Sequence, residues 1–166
     1  MNNNSARTKK IIRIALWTVF SIYCLVLIKI LFLDRFGHEF VSFGSYLKTH
    51  TNFVPFKTII SYFELLSEDR INTGTVVINL LANILLFLPM GMVLPCLFGK
   101  LQKFWTTVVT VLGVILATEV VQLVFQLGSF DIDDFILNIS GAMFGYSLIR
   151  IPLILSLLKK TYIYPQ

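Results

Sequence analysis

The chain has 166 residues, of which 56% are hydrophobic and 14% are charged, and its mean hydropathy is +0.79. Soluble domains contain roughly 45–50% apolar and about 25% charged residues, so this composition excludes a soluble globular domain. The formal net charge of +5 does not indicate a nucleic-acid partner. The basic residues lie at the ends of apolar runs, where such residues set membrane orientation. We therefore expect an integral membrane protein whose first partner is the lipid bilayer.

Four apolar stretches are long enough to cross a hydrocarbon core as helices, which takes about 20 residues. They cover residues 11–33, 75–98, 104–127 and 134–158. The first stretch is about twice the usual length of a signal-peptide core, and no small-x-small cleavage site follows it, so it is interpreted as a retained span. We predict an all-α, four-helix membrane bundle that forms a single domain over residues 1–166, with a kink before Pro152.

Basic residues predict how this bundle is oriented. Four spans place the N-terminus, the 99–103 turn and the C-terminus on one side, which carries basic residues and no acidic ones. These are Arg7, Lys9, Lys10, Arg13, Lys100, Lys103, Lys159 and Lys160. The positive-inside rule makes this side cytoplasmic, so we expect a multi-pass protein of the cytoplasmic membrane with both termini inside. Arg150 does not fit this pattern and must either reach the interface or pair with another group.

Residues 34–74 form the long outer loop in this topology. Asn52 suits a helix cap, and Pro55 suits an early helical position. The apolar residues that follow recur at helical spacing: Phe56, Ile59, Ile60, Phe63 and Leu66. They predict a short amphipathic helix, which lies on the membrane surface or packs against the bundle. His38 and His50 have no partners at a meaningful spacing, and no role is assigned to them.

Polar side chains interrupt three of the spans near their outer ends. Asn83 and Glu119 each lie eight residues from an outer end, roughly 12 Å deep at 1.5 Å per residue. Ionisable groups at such depth are costly unless they are paired or functional, so we predict that the polar residues face each other or an outward-facing pocket. The predicted ligand-binding residues are Asn83, Glu119, Gln122, Asp131, Asp134 and Asn138.

This set of side chains indicates which ligands are suitable. Carboxylates accept hydrogen bonds and carboxamides both donate and accept them, which suits hydroxyl, amide or sugar groups. The D-I-D-D turn at 131–134 lacks the spaced ligands, the glycine and the closing glutamate of a calcium loop, so we predict neither a metal nor a cofactor. Cys24 and Cys96 lie in apolar runs and are predicted to be packing residues. Asn79 and Gln126 are expected to form interhelical hydrogen bonds.

Four sequence elements, taken in order, resemble the VanZ-like family of bacterial membrane proteins. They are N-x-x-P-F at Asn52, Pro55 and Phe56; N-x-x-x-F-x-P-x-G at Asn83, Phe87, Pro89 and Gly91; E-x-x-Q at Glu119 and Gln122; and D-x-x-D-x-x-x-N-x-x-G-x-x-x-G at Asp131, Asp134, Asn138, Gly141 and Gly145. The prolines, phenylalanines and glycines of these elements are expected to serve structure, with Gly141 and Gly145 forming a small-xxx-small packing motif. The resemblance implies a multi-span protein of the cytoplasmic membrane and, in some members, lowered susceptibility to teicoplanin and related lipoglycopeptides. It implies no chemical mechanism.

Three functional hypotheses follow. The first is a cell-envelope protein whose outward pocket binds a lipid-linked or glycopeptide-like ligand, with the 55–67 helix as its lid. The alternative is an intramembrane enzyme that acts on a lipid-linked envelope precursor, with Glu119 and Asp134 as catalytic acid and base. The missing nucleophile–base pair and the absence of arginines near the site argue against catalysis. A transporter is the third, and four spans without an internal repeat argue against it.

Overall fold

The computed structural model of the chain describes residues 3–37 and 40–164, so His38 lies outside the described residues. Within these ranges the fold is all-α, as predicted. The α-helices are α1 (Asn3–Leu31), α2 (Phe43–Thr49), α3 (Lys57–Ser67), α4 (Thr73–Leu97), α5 (Phe104–Val124), α6 (Ile132–Arg150) and α7 (Pro152–Lys160). Short 3-10 helices occupy Leu33–Arg35 and Gly99–Gln102, and two-residue strands β1 (Thr51–Asn52) and β2 (Phe130–Asp131) complete the described elements.

Three helices, α1, α4 and α5, are long and apolar enough to cross a membrane. The predicted fourth span is not one helix over 134–158, because α6 and α7 meet at Ile151 with a bend of 71°. Pro152 explains the bend: it lacks an amide hydrogen and its ring blocks the preceding turn, so it begins the new helix α7. The kink before Pro152 is confirmed, whereas a four-span topology, which needs the bent pair to act as one span, stays a prediction.

Helices α4 and α6 form the central pair of the fold, and glycines line their contact. A β-carbon at Gly141 would overlap the backbone carbonyl oxygen of Ile84, and one at Gly91 would overlap that of Ala142. The two backbones therefore approach each other as closely as glycine alone permits. Around this contact lies an apolar core formed by Leu27, Leu31, Phe87, Met90, Leu94, Val111, Ile115 and Ala142.

Helix α1 joins the bundle mainly through its second half. The Tyr23 hydroxyl donates a 2.7 Å hydrogen bond to the Leu86 carbonyl of α4, and Leu27 and Leu31 are buried in the core. In its first half, Arg13 donates a 3.3 Å hydrogen bond to the carbonyl of Leu97, while most apolar side chains of this half are exposed. The outer surface of α1 therefore suits contact with lipid.

The start of α1, the Gly99–Gln102 3-10 helix and the residues after α7 meet at one end of the molecule, which we call the basic end. The Lys9 ammonium lies 4.6 Å from the ring centroid of Tyr162. Arg150 donates to the Tyr146 hydroxyl at 2.7 Å and to the Gln102 carbonyl. Of the two outcomes open for Arg150, the structure therefore shows pairing, with a hydroxyl and a carbonyl as partners.

The opposite end, which we call the loop end, holds residues 33–37 and 40–59 and the 125–134 turn. Strands β1 and β2 pair in parallel, with Asn52 opposite Asp131. The Gln126 side chain donates to the Val41 carbonyl at 2.9 Å and accepts from its amide at 3.0 Å. Gln126 therefore binds the loop backbone, and the prediction of an interhelical hydrogen bond was wrong. Two-residue strands carry no alternating pattern, so the sequence indicated only a loop and a turn here.

Candidate functional site

The candidate site lies at the loop end, where the β1–α3 segment meets β2 and α6. Asp133 is 1% exposed, and its carboxylate accepts hydrogen bonds from the backbone amides of Phe56, Thr58 and Ile59 at 2.5, 2.8 and 3.1 Å. The first amides of a helix have no partner within the helix, so the α6 carboxylate caps α3. The prediction that Asn52 caps this helix was wrong.

Asp131 joins the same two segments. Its Oδ1 accepts hydrogen bonds from Asn52 Nδ2 at 3.1 Å and from the Asp133 amide at 2.9 Å, and its Oδ2 accepts one from the Thr58 hydroxyl. The carboxylate therefore caps α6 and holds the N-x-x-P-F element against it. Both oxygens of this predicted ligand-binding residue are already bonded within the protein, which suits a residue that positions its neighbours.

Asp134 and Asn83 link the central helix pair just below this junction. The Asn83 side-chain amide donates a hydrogen bond to Asp134 Oδ1. Both side chains are half-buried. The structure therefore brings together two predicted site residues from α4 and α6.

Glu119 and Asn138 present the buried acceptors of the site. Glu119 is 5% exposed and Asn138 is 4% exposed. Neither Oε2 of Glu119 nor Oδ1 of Asn138 has a hydrogen-bond partner among the described residues. The Glu119 carboxyl is coupled electrostatically to Asp131 and Asp134, and Asn138 follows Asp134 by one helical turn. We call these buried and half-buried side chains the polar cluster: Asn83, Glu119, Asp131, Asp133, Asp134 and Asn138. Leaving a buried acceptor unpaired costs about 1–3 kcal/mol, so these two oxygens are suited to receive a donor.

Gln122, a predicted ligand-binding residue, bonds to another helix of the protein. Its Nε2 donates a 2.9 Å hydrogen bond to the carbonyl of Leu31, and the side chain is 3% exposed. The last carbonyls of a helix lack intrahelical donors, so Gln122 caps the end of α1. The residue thereby fastens α1 to α5 beside the site.

Arg35 is a site residue that the sequence analysis missed. Its guanidinium lies so close to Gly128 that a β-carbon there would stand 2.6 Å from Arg35 Nη1. Its positive charge acts on both Glu119 and Asp134. The expectation that no arginine lies near the site was therefore wrong. No local pattern could have indicated this, because Arg35 follows the first apolar stretch and its charge comes near the acidic residues only in the tertiary fold.

The two unpaired acceptors, on Glu119 and Asn138, are shielded from solvent in this structure. A cavity of about 30 Å³ lies between Arg35–Gly37, Phe40 and Phe125–Leu127, which is room for about one water molecule. Larger cavities, of about 160 and 770 Å³, lie at the basic end. A ligand larger than water would reach Glu119 and Asn138, which are 5% and 4% exposed, only after neighbouring residues moved.

Comparisons with known proteins agree with the resemblance noted in the sequence. A family model described as VanZ/LLP1 matches residues 20–155, a range that includes every residue of the site described above. No curated protein matches the chain. No solved structure matches it either.

Proposed function

The chain belongs to the VanZ/LLP1 family, and on this premise we propose that it is a multi-pass protein of the cytoplasmic membrane that binds a polar envelope ligand at its loop end. The ligand class is a lipid-linked envelope precursor or a glycopeptide. Binding of such a molecule would contribute to teicoplanin or lipoglycopeptide resistance. The bound molecule would contact Glu119 and Asn138.

The observation that carries this proposal is the pair of buried acceptors without donors. Evolved interiors pair their buried polar atoms, and each exception calls for a physical explanation. Glu119 Oε2 lies on α5, and Asn138 Oδ1 lies on α6 one helical turn after Asp134. The carboxylates of Asp131, Asp133 and Asp134 are, by contrast, bonded within the protein. A ligand that brings hydroxyl, amide or ammonium donors would satisfy both oxygens.

The charges around these acceptors support a sugar- or peptide-bearing ligand with a phosphate. Hydroxyl and amide groups supply donors for Glu119 and Asn138. Arg35, whose charge already acts on Glu119 and Asp134, offers a fork of N–H donors suited to phosphate. Lipid-linked precursors combine these groups, and their hydrocarbon tail would remain among the exposed apolar side chains of the spans.

Access to the site would require movement of the α2–α3 segment, which we propose as its lid. Helix α3 is tied to the cluster through Asp133, and β1 is tied to it through Asn52. Phe56, just before α3, and Ile60 and Phe63 within it are exposed at i, i+4 and i+7. Ile59 and Leu66 of α3 are half-buried. The half-buried face suits packing against the bundle, and the exposed apolar face suits contact with the membrane surface. These are the two placements predicted for this helix. The positive-inside rule would place this lid on the outer side.

The proposal is tested by purifying the full chain from bacterial membranes in mild detergent and identifying the retained lipids by mass spectrometry. We expect a lipid-linked precursor to co-purify with the wild-type chain, and Glu119→Gln to reduce its amount about tenfold. The carboxamide replaces one carboxyl oxygen by an NH₂ donor, and a buried polar group left without its partner costs about 1–3 kcal/mol. Glu64→Gln is the matched control, since Glu64 is an exposed glutamate of α3. Equal retention by all three proteins would refute the proposal.

One observation favours the enzyme as a second candidate. Glu119 and Asp134 interact electrostatically but differ in environment, because Asp134 is bonded to Asn83 whereas Glu119 keeps an unpaired oxygen. Pairs of carboxyls in different environments are typical of acid–base catalysis. The same preparation separates the two functions. A precursor recovered unaltered after incubation supports binding, and a product that Glu119→Gln and Asp134→Asn fail to form supports catalysis.

A further inference from the structure

Two cavities at the basic end share one arginine. The smaller, of about 160 Å³, is lined by Lys9, Arg13 and Tyr164 together with apolar side chains. The larger, of about 770 Å³, is a groove between the first half of α1 and the end of α4. Apart from Arg13 and Lys100, its walls are mostly apolar: Phe20, Leu94, Leu97, Phe98 and Leu101. A small cavity with two basic side chains thus lies next to a larger, mostly apolar groove.

The small cavity holds hydrogen-bond donors with unused capacity. Arg13 has five N–H groups and donates a 3.3 Å hydrogen bond from Nη2 to Leu97. Tyr164 is 3% exposed, and its hydroxyl has no hydrogen-bond partner among the described residues. Burial raises the pKa of Tyr164 above its ordinary value, which keeps the hydroxyl protonated and able to donate. Lys9 adds a second positive charge.

No Asp or Glu side chain among the described residues of the basic end competes for these donors. Residues 3–33, 70–118 and 135–164, which include this end, contain neither residue type. An anion is therefore the ligand that the small cavity suits electrostatically. Arginine is the preferred partner of phosphate, because its fork of donors matches the phosphate oxygens.

We propose that an anionic phospholipid binds here, with its phosphate beside Lys9, Arg13 and Tyr164 and an acyl chain in the groove along Phe20 and Leu94. The apolar groove selects a lipid over a free anion, since a free anion would leave that groove empty. Basic pockets between membrane helices are typical sites for acidic lipid headgroups. This inference does not depend on the function proposed for the loop end.

The test is native mass spectrometry of the purified full chain in a neutral detergent, titrated with dioleoylphosphatidylglycerol or dioleoylphosphatidylcholine. We expect the first equivalent of phosphatidylglycerol to bind at least fivefold more tightly than phosphatidylcholine. Lys9→Gln should weaken phosphatidylglycerol binding about fivefold, whereas Lys10→Gln should change it less than twofold. The two lysines are exposed neighbours on α1, but Lys9 lines the small cavity whereas Lys10 lines neither cavity.

Arg13→Gln would also lose the hydrogen bond to Leu97, so this variant can fail to fold. Tyr164→Phe tests the site independently, because it removes only the unpaired hydroxyl and keeps the ring. We expect Tyr164→Phe to weaken phosphatidylglycerol binding at least threefold. Equal binding of the two lipids, or equal effects of Lys9→Gln and Lys10→Gln, would overturn the proposal. Displacement of the lipid by an equimolar amount of inorganic phosphate would overturn it too, because it would identify a free-anion site.

Discussion

The carboxylate of Asp133 accepts a 2.8 Å hydrogen bond from the backbone amide of Thr58, and this contact closes the first turn of α3 against the first turn of α6. It joins two segments that are 75 residues apart in the chain. Asp133 therefore fixes the start of α3 to the start of α6.

We expect Asp133→Asn to loosen α3 without unfolding the bundle. A carboxamide oxygen accepts fewer and weaker hydrogen bonds than a carboxylate, and losing a helix cap costs about 0.5–2 kcal/mol. Hydrogen exchange of residues 56–60, followed by mass spectrometry, should become about tenfold faster. Glu64→Gln serves as the control on the same helix, and unchanged exchange in Asp133→Asn would contradict the capping role.

The antibiotic phenotype should depend on the two unpaired acceptors. In a teicoplanin-susceptible bacterium, we expect the wild-type chain to raise the inhibitory concentration of teicoplanin. Glu119→Gln and Asn138→Leu should abolish this increase while the amount of protein in the membrane stays normal. A wild-type phenotype in both variants at normal membrane levels would separate resistance from the acceptor pair.

Gln122 should behave as an anchor for α1. Gln122→Leu leaves the buried Leu31 carbonyl without its 2.9 Å donor, which costs about 1–3 kcal/mol. Thermal unfolding in detergent should therefore occur several degrees lower. Lipid retention per folded molecule should remain close to that of the wild type, whereas a loss comparable with that of Glu119→Gln would make Gln122 a ligand-binding residue.

The α4–α6 contact should tolerate no side chain at Gly141. The β-carbon of Gly141→Ala would overlap the Ile84 carbonyl, and overpacking of this kind costs about 1–3 kcal/mol. We expect a lower unfolding temperature and less monodisperse protein in size-exclusion chromatography. Gly113→Ala on α5 is the matched control, because no atom lies within 4 Å of its added β-carbon. Equal stability of the two variants would show that the helices can separate at no cost.

Local sequence was enough to predict the all-α fold, three candidate membrane helices and the family. Long apolar runs have few folded alternatives to helices, because the hydrocarbon core leaves backbone groups no other partners. Pro152 likewise predicted a kink from its own covalent structure. The spacing of Asn83, Glu119 and Asn138 along their helices indicated that polar groups gather near one end, because helical rise converts residue number into depth.

The tertiary structure decided which of these polar groups are paired. The carboxylates of Asp131 and Asp133 accept hydrogen bonds from the distant segment around the N-x-x-P-F element. Glu119 and Asn138, which are equally polar in the sequence, each keep an unpaired oxygen. The charge of Arg35 acts on Glu119 and Asp134, and Gln122 donates to the end of α1, because the fold brings remote segments together. Hydrogen bonds and charges act over a few ångströms in space, whatever the separation along the chain, so a periodic pattern within one helix cannot specify its partners on another.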